Sequence, residues 1–143
     1  MPLQPYWDDI TEGQELPVLV KQPSTQQIAK FAGASGEFAK IHYDKDFAIN
    51  SGLPGVIAHG WLTFSFMTNA VTGWMGKQGM LKKIGVSYRG VHPAGEDIYC
   101  KAKVTKKYAA NNEHLVELEI WTENSKGQRT VPGSAIVALP VKN

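Results

Sequence analysis

Between Val56 and Trp74 the chain is almost entirely apolar, and the apolar residues occupy every face of a helix. Ile57, Trp61, Leu62, Phe64, Phe66, Met67, Val71 and Trp74 go all the way round it, diluted chiefly by Ser, Thr and Asn. Such a helix has to be buried on nearly all sides, which by default places Trp61, Phe64 and Phe66 in a core. The run is too short and too rich in hydroxyls to serve as a membrane span. Whatever the chain folds into must therefore wrap this helix.

The sequence beyond it supplies the wrapping. Ile84, Val86 and Tyr88 alternate, and Pro93-Ala94-Gly95-Glu96-Asp97 makes a turn. Ile98, Cys100, Ala102 and Val104 then alternate with polar partners, as do Val116, Leu118 and Ile120. Asn111-Asn112 and Ser125-Lys126-Gly127 read as turns, and Thr130 to Val141 as the last strand. Three or four long antiparallel strands after one buried helix predict an α+β domain with a curved sheet around that helix, spanning 1–143 as a single unit.

The first half reads differently. Leu16 to Val20 predicts one short extended segment. Ser24 with Gln27 three residues later has capping-box spacing, and Ile28, Phe31 and Ala32 fall at i, i+3, i+4. A short helix from Thr25 to Ala32, stopped at Gly33, follows. From Ala34 to Gly55 breakers prevail, and a loop that long in a compact domain usually carries function.

Composition excludes several classes. Fifteen basic against thirteen acidic residues leave a net charge of +2, too small and too dispersed for nucleic acid or an anionic membrane. One cysteine, Cys100, rules out an intramolecular disulfide framework and a cysteine-based metal finger, and its alternation places it as a small buried hydrophobe. With no secretory signal at the first residues, a reducing, cytoplasmic setting is expected. No metal site or cofactor motif is expected.

The loop holds Glu37, His42, Asp44 and Asp46, and the apolar helix opens with His59-Gly60. A carboxylate and an imidazole on an irregular loop can point into one pocket and polarise a water between them. A helix N-terminus offers unpaired N–H groups and a dipole that favours developing negative charge, as on a thioester enolate oxygen. These are together what addition of water to an α,β-unsaturated thioester requires. His92 and His114 read as structural, Asp44 and Asp46 as turn or cap residues, and His59 as a helix-capping side chain that holds the loop. The pairs Lys82-Lys83 and Lys106-Lys107 read as solvated faces able to meet coenzyme A phosphates or an acidic carrier protein.

Phe31-Ala-Gly-Ala-Ser-Gly-Glu-Phe-Ala-Lys-Ile-His-Tyr-Asp44, followed by Gly55-Val-Ile-Ala-His-Gly60, resembles the MaoC-like dehydratases, a family that includes the (R)-specific enoyl-CoA hydratases and mycobacterial 3-hydroxyacyl-ACP dehydratase subunits. The family motif reads Ser-Gly-Asp-x-Asn-Pro-x-His-x-Asp. The resemblance implies a hot-dog fold. It matches His42 to the catalytic histidine, Glu37 to the catalytic aspartate, and Gly60 to the glycine whose N–H binds the thioester oxygen. Ser35 and His59 fall in the two motifs as supporting residues, and Thr68 falls where some hydratases place a positioning serine. The chain departs from the pattern at Glu37, Ala39 and Lys40, where the family has Asp, Asn and Pro.

The activity so implied interconverts trans-2-enoyl and (R)-3-hydroxyacyl thioesters of CoA or acyl-carrier protein. Two other readings stand beside it. One is a weakly active or non-catalytic subunit paired with a hot-dog paralogue, motivated by Ala39 and Lys40. The other is a thioesterase, against which the absence of any Asp or Glu from Val56 to Gly79 counts. A homodimer or heterodimer is expected because edge-to-edge pairing removes exposed strand edges.

Overall fold

The structure is a computed structural model and describes residues 3–143. Its sheet has five antiparallel strands: β1 (Leu19–Lys21), β2 (Met80–Val86), β3 (Ile98–Ala110), β4 (Glu113–Glu123) and β5 (Arg129–Ala138), in the spatial order β1-β3-β4-β5-β2. The helices are α1 (Thr25–Ser35), α2 (Lys45–Asn50) and the long α3 (Gly60–Met75). The alternation read from sequence sets the register. Cys100 pairs with Thr122 and Ala102 with Ile120 across β3 and β4. Leu118 pairs with Ala135 across β4 and β5, so one sheet face is largely apolar, with buried Thr122 as a polar exception. That face closes on Leu62, Phe66, Met67 and Val71 of α3 to form the core.

The wrapping is one-sided. Leu62, Thr63, Phe66, Met67 and Val71 are buried, whereas Trp61 is 65% exposed and Phe64 half-buried, contrary to their expected place in the core. The sheet covers one face of the helix, while on the other side exposed Trp61 meets only Phe64 of the same helix, edge-on, among the aromatic pairs of the described residues.

Several boundaries also differ from expectation. Helix α3 begins at Gly60 with His59 as its N-cap residue, where the His59-Gly60 motif placed its opening, although the apolar run starts at Val56; the residues before it are bonded elsewhere. Ile57 N–H donates to Ile41 O at 3.2 Å and Ala58 N–H to His92 O at 2.8 Å, while Ile57 forms a bridge to Pro93. Helix α1 is capped as predicted, with Ser24 Oγ accepting from Gln27 N–H, but it runs through Gly33 to Ser35. It stops at Gly36, whose φ of 77° is the left-handed conformation that ends a helix. The extended segment shifts from Leu16–Val20 to Leu19–Lys21 because Pro17 has no N–H for the ladder, although Leu16 N–H bonds Ala102 O. Tyr88 lies beyond the end of β2, and the final strand stops at Ala138. The long loop is partly ordered into a 3-10 turn, Lys40–His42, and helix α2, whose N-cap is Asp44 accepting from Phe47 N–H.

Cys100 is buried, as read from its alternation, and burial pushes its thiol up to about 12. Lys107 is not part of a solvated face. Its ammonium donates to Trp7 O and Ile10 O, both at 2.9 Å, and lies over the Trp7 ring. Lys82 pairs with Glu113 across strands. No helix among the described residues is long and apolar enough to cross a membrane.

Candidate active site

The loop between α1 and α2, the extended stretch before α3 and the stretch after β2 converge at the N-terminus of α3. There they enclose a mostly apolar cavity of about 340 Å³ whose walls include Glu37, His42, His59, Gly60, Tyr88 and His92. Residues singled out from sequence on two separate segments, the loop and the helix start, thus share one cavity.

His42 is held at the end of the 3-10 turn and is buried. Its Nδ1 lies 2.8 Å from Ile57 O. A carbonyl can only accept, so Nδ1 carries the proton and Nε2 keeps its lone pair in the neutral ring. His42 also borders a larger groove of about 680 Å³, with Tyr43, Lys45, Gly55 and Glu96 in its walls.

Glu37 sits on the exposed side of the same cavity. Its backbone N–H donates to Ser35 Oγ at 3.2 Å, and its Oε1 accepts from Ala39 N–H at 3.0 Å. Ser35 Oγ in turn donates to Phe31 O, so this serine ties the loop to the end of α1. The carboxylate makes no direct hydrogen bond to either imidazole among the described residues. The two groups share a cavity wall rather than a bond.

His59 is the N-cap residue of α3 and is 1% exposed. Its side chain does not cap the helix, contrary to the sequence reading. Instead Nε2 faces Glu37 O at 3.1 Å, and the ring stacks on His42 with centroids 3.8 Å apart and planes at 20°. Burial lowers its pKa, offset in part by the Glu37 carbonyl and lowered further by His42.

Gly60 opens α3 with no side-chain cap on the first turn, leaving donor N–H groups at the cavity. A Cβ here would come within 2.9 Å of the Tyr88 ring, so any larger residue would have to push this aromatic ring aside. Burial raises the Tyr88 phenol above its usual value.

Thr68 is not brought to the site. It lies two turns further along α3 and its hydroxyl donates to Phe64 O, a bond within the helix. Thr63, one turn from Gly60 and 2% exposed, lines the cavity instead. Its polarity inside an apolar helix was the available sequence signal. Tyr88 gave only a strand-like alternation, and its role as a cavity wall was not legible.

His92 is structural in its bonding, as expected, yet it also forms part of the cavity wall. Its Nε2 lies 2.8 Å from Thr130 Oγ1 and 3.3 Å from Thr122 Oγ1, and burial lowers its pKa to about 4. His114 packs edge-on against Trp7. The His92 shift fixes a pH dependence. Between about pH 6.5 and 4 the unfolded chain binds this proton and the folded chain does not, so stability falls as pH is lowered through that window. The full loss is about 3 kcal/mol. Urea unfolding at pH 7 and pH 4.5 should show it, and His92→Val should flatten the slope relative to wild type.

An antiparallel sheet curled over one long helix, with polar groups gathered at that helix's N-terminus, defines a hot-dog protein. The chain belongs to the MaoC-like domain family, whose model matches residues 3–125. It is similar in structure to the R-hydratase PhaJ1 from Pseudomonas aeruginosa, with a TM-score of 0.85 at 21% identity, covering 96% of this chain and 86% of that one. It is also similar to the ChsH1-ChsH2 complex from Mycobacterium tuberculosis, with a TM-score of 0.77 at 22% identity, covering 90% of this chain and 98% of that one. A third likeness is to a Mycobacterium tuberculosis protein with a double hotdog fold. Its TM-score is 0.79 at 19% identity, over 97% of this chain and 45% of the other. No curated protein sequence matches the chain.

Proposed function

We propose that this protein is a hydratase/dehydratase that interconverts trans-2-enoyl and (R)-3-hydroxyacyl thioesters of CoA or acyl-carrier protein. The observation that carries the reading is the one cavity lined together by Glu37, by His42, whose Nδ1 is bonded and whose Nε2 is left free, and by the first turn of α3. In the hydration direction, a water held between Glu37 and His42 gives up a proton to this pair as its oxygen bonds to the β-carbon. The π electrons move toward the thioester carbonyl, whose oxygen gains negative charge opposite Gly60 N–H. The captured proton is then delivered to the α-carbon, and the carbonyl reforms. The family membership and the likeness to an R-hydratase support this chemistry and the R configuration.

The test is hydration of crotonyl-CoA and a medium-chain enoyl-CoA, followed as loss of enoyl-thioester absorbance, with chiral analysis of the product. Turnover to the R product is expected. No hydration of either substrate, by the chain alone or with a co-purified hot-dog partner, would end the reading. Gly60→Ala is expected to lower kcat/KM by about tenfold or more, because the added methyl pushes Tyr88 and shifts the donor from the carbonyl oxygen.

The uncovered face of α3 supports pairing with a second hot-dog domain. Trp61 is exposed, and a groove of about 400 Å³ runs along Val18, Leu19, Ala70 and Trp74. The likenesses to a two-component complex and to a double hot-dog chain agree with such a pair. Whether the partner is a second copy or a paralogue is read by sedimentation of the purified chain, with activity assayed before and after adding any co-purifying chain.

A further inference from the structure

Two features of His59 are unexplained by the role of a helix cap. It is 1% exposed yet makes no side-chain cap to α3, and its Nδ1 is buried without a hydrogen-bond partner. Its two other surroundings account for it. The Nε2 edge faces the backbone carbonyl of Glu37, and one ring face lies flat on His42. Phe31 of α1 also approaches the ring, tilted, with centroids 4.8 Å apart. The imidazole thus touches both α1 and the 3-10 turn while its edge grips the carboxylate-bearing loop.

We infer that His59 is the positioning residue of this site, a buried ring that fixes the Glu37 backbone with its edge and the His42 imidazole with its face, and so sets the separation of the two groups that handle water. The inference rests on the proposed hydratase reading for its kinetic consequence, but the geometry it names is independent of any substrate.

The need for such a brace follows from the loop itself. Glu37 and His42 share no hydrogen bond, and the family's Asn and Pro at this loop are Ala39 and Lys40 here, so the loop lacks an amide side chain and a φ restraint. His59 touches both residues, its Nε2 at the Glu37 carbonyl and its ring face on His42. A neutral His59 suits the role. Glu37 O requires its proton on Nε2, and a second proton on the partnerless Nδ1 would place buried charge against His42. The other titratable groups on the cavity wall are His92, neutral near physiological pH, and the Tyr88 phenol, so none supplies an anion to hold such a charge. The Glu37 charge alone acts in the opposite sense.

Two substitutions separate the two grips. His59→Phe keeps an aromatic face against His42 and removes the donor to Glu37 O. His59→Gln keeps a donor at about the position of Nε2 and removes the face. Each is expected to lower kcat about tenfold with KM within about twofold, and His59→Ala to lower it about a hundredfold, with cooperative thermal unfolding retained. A purely structural residue would lower the active fraction and leave kcat per folded molecule at the wild-type value. Nitrogen-15 spectra of the imidazoles give a second readout that needs no activity. Wild type should show His42 protonated on Nδ1 and His59 on Nε2, and in His59→Gln the His42 Nδ1 proton should exchange with water about tenfold faster. Folded variants with an unchanged His42 spectrum and wild-type kcat would overturn the inference. If wild type proves inactive on enoyl-CoA while His42 responds as described, the hydratase reading fails and the brace stands.

Discussion

Replacing His42 with alanine is expected to lower kcat for enoyl-CoA hydration by about a thousandfold, within the range that loss of a positioned acid–base group produces. The tautomer argument makes this substitution more informative than an ordinary deletion. Nδ1 is committed to Ile57 O, so Nε2 is the one ring nitrogen left free. Alanine also leaves the Ile57 carbonyl without its side-chain donor, which costs about 1–3 kcal/mol of stability and confuses activity with folding. His42→Asn resolves that, because an asparagine amide can still donate near the Nδ1 position but has no basic nitrogen. A folded His42→Asn protein with no measurable hydration is expected. Near-normal turnover in that variant would remove His42 from the mechanism.

Glu37→Gln is expected to cost about a hundredfold or more in kcat with little change in thermal stability. The amide oxygen of glutamine can accept the Ala39 N–H bond that Glu37 Oε1 accepts, so the loop keeps its shape while losing the proton acceptor. Glu37→Asp is the complementary test. Aspartate accepts comfortably from the N–H two residues on, and it is the residue the family carries here. It should keep at least about a tenth of wild-type kcat, the cost of moving the carboxylate by about one methylene. The two variants together separate charge from reach. Equal rates for wild type, Glu37→Gln and Glu37→Asp, measured by the absorbance assay, would place the carboxylate outside the reaction.

What could be read from the chain depended on whether local chemistry or distant partners decided the matter. Ser24 and Gln27 announced the start of α1 because a cap is made within four residues. Its end was misplaced by three residues because Gly33 and Gly36 look alike in sequence. Only the second adopts positive φ, and a glycine inside a helix costs about 1 kcal/mol that packing of Ile28 and Ala32 can offset. Asp44 was legible as a cap for the same local reason as Ser24. Glu37, His42 and Gly60 were singled out through motif resemblance, and one cavity is lined by all three. Thr68 does not line that cavity, and its hydroxyl is bonded to the preceding turn of its own helix.

The alternating strands, the capped helix and the apolar run that demands wrapping were determined by the sequence alone, since side-chain periodicity acts through neighbours one turn or one pleat away. Only the tertiary structure decided that Val56 to Ala58 would leave the helix and bond to Ile41 and His92, that Trp61 would face outward, and that His59 would lie between Glu37 and His42. Those outcomes depend on backbone donors and ring faces supplied by segments distant along the chain, and no local pattern encodes which partner a buried N–H or an imidazole will find.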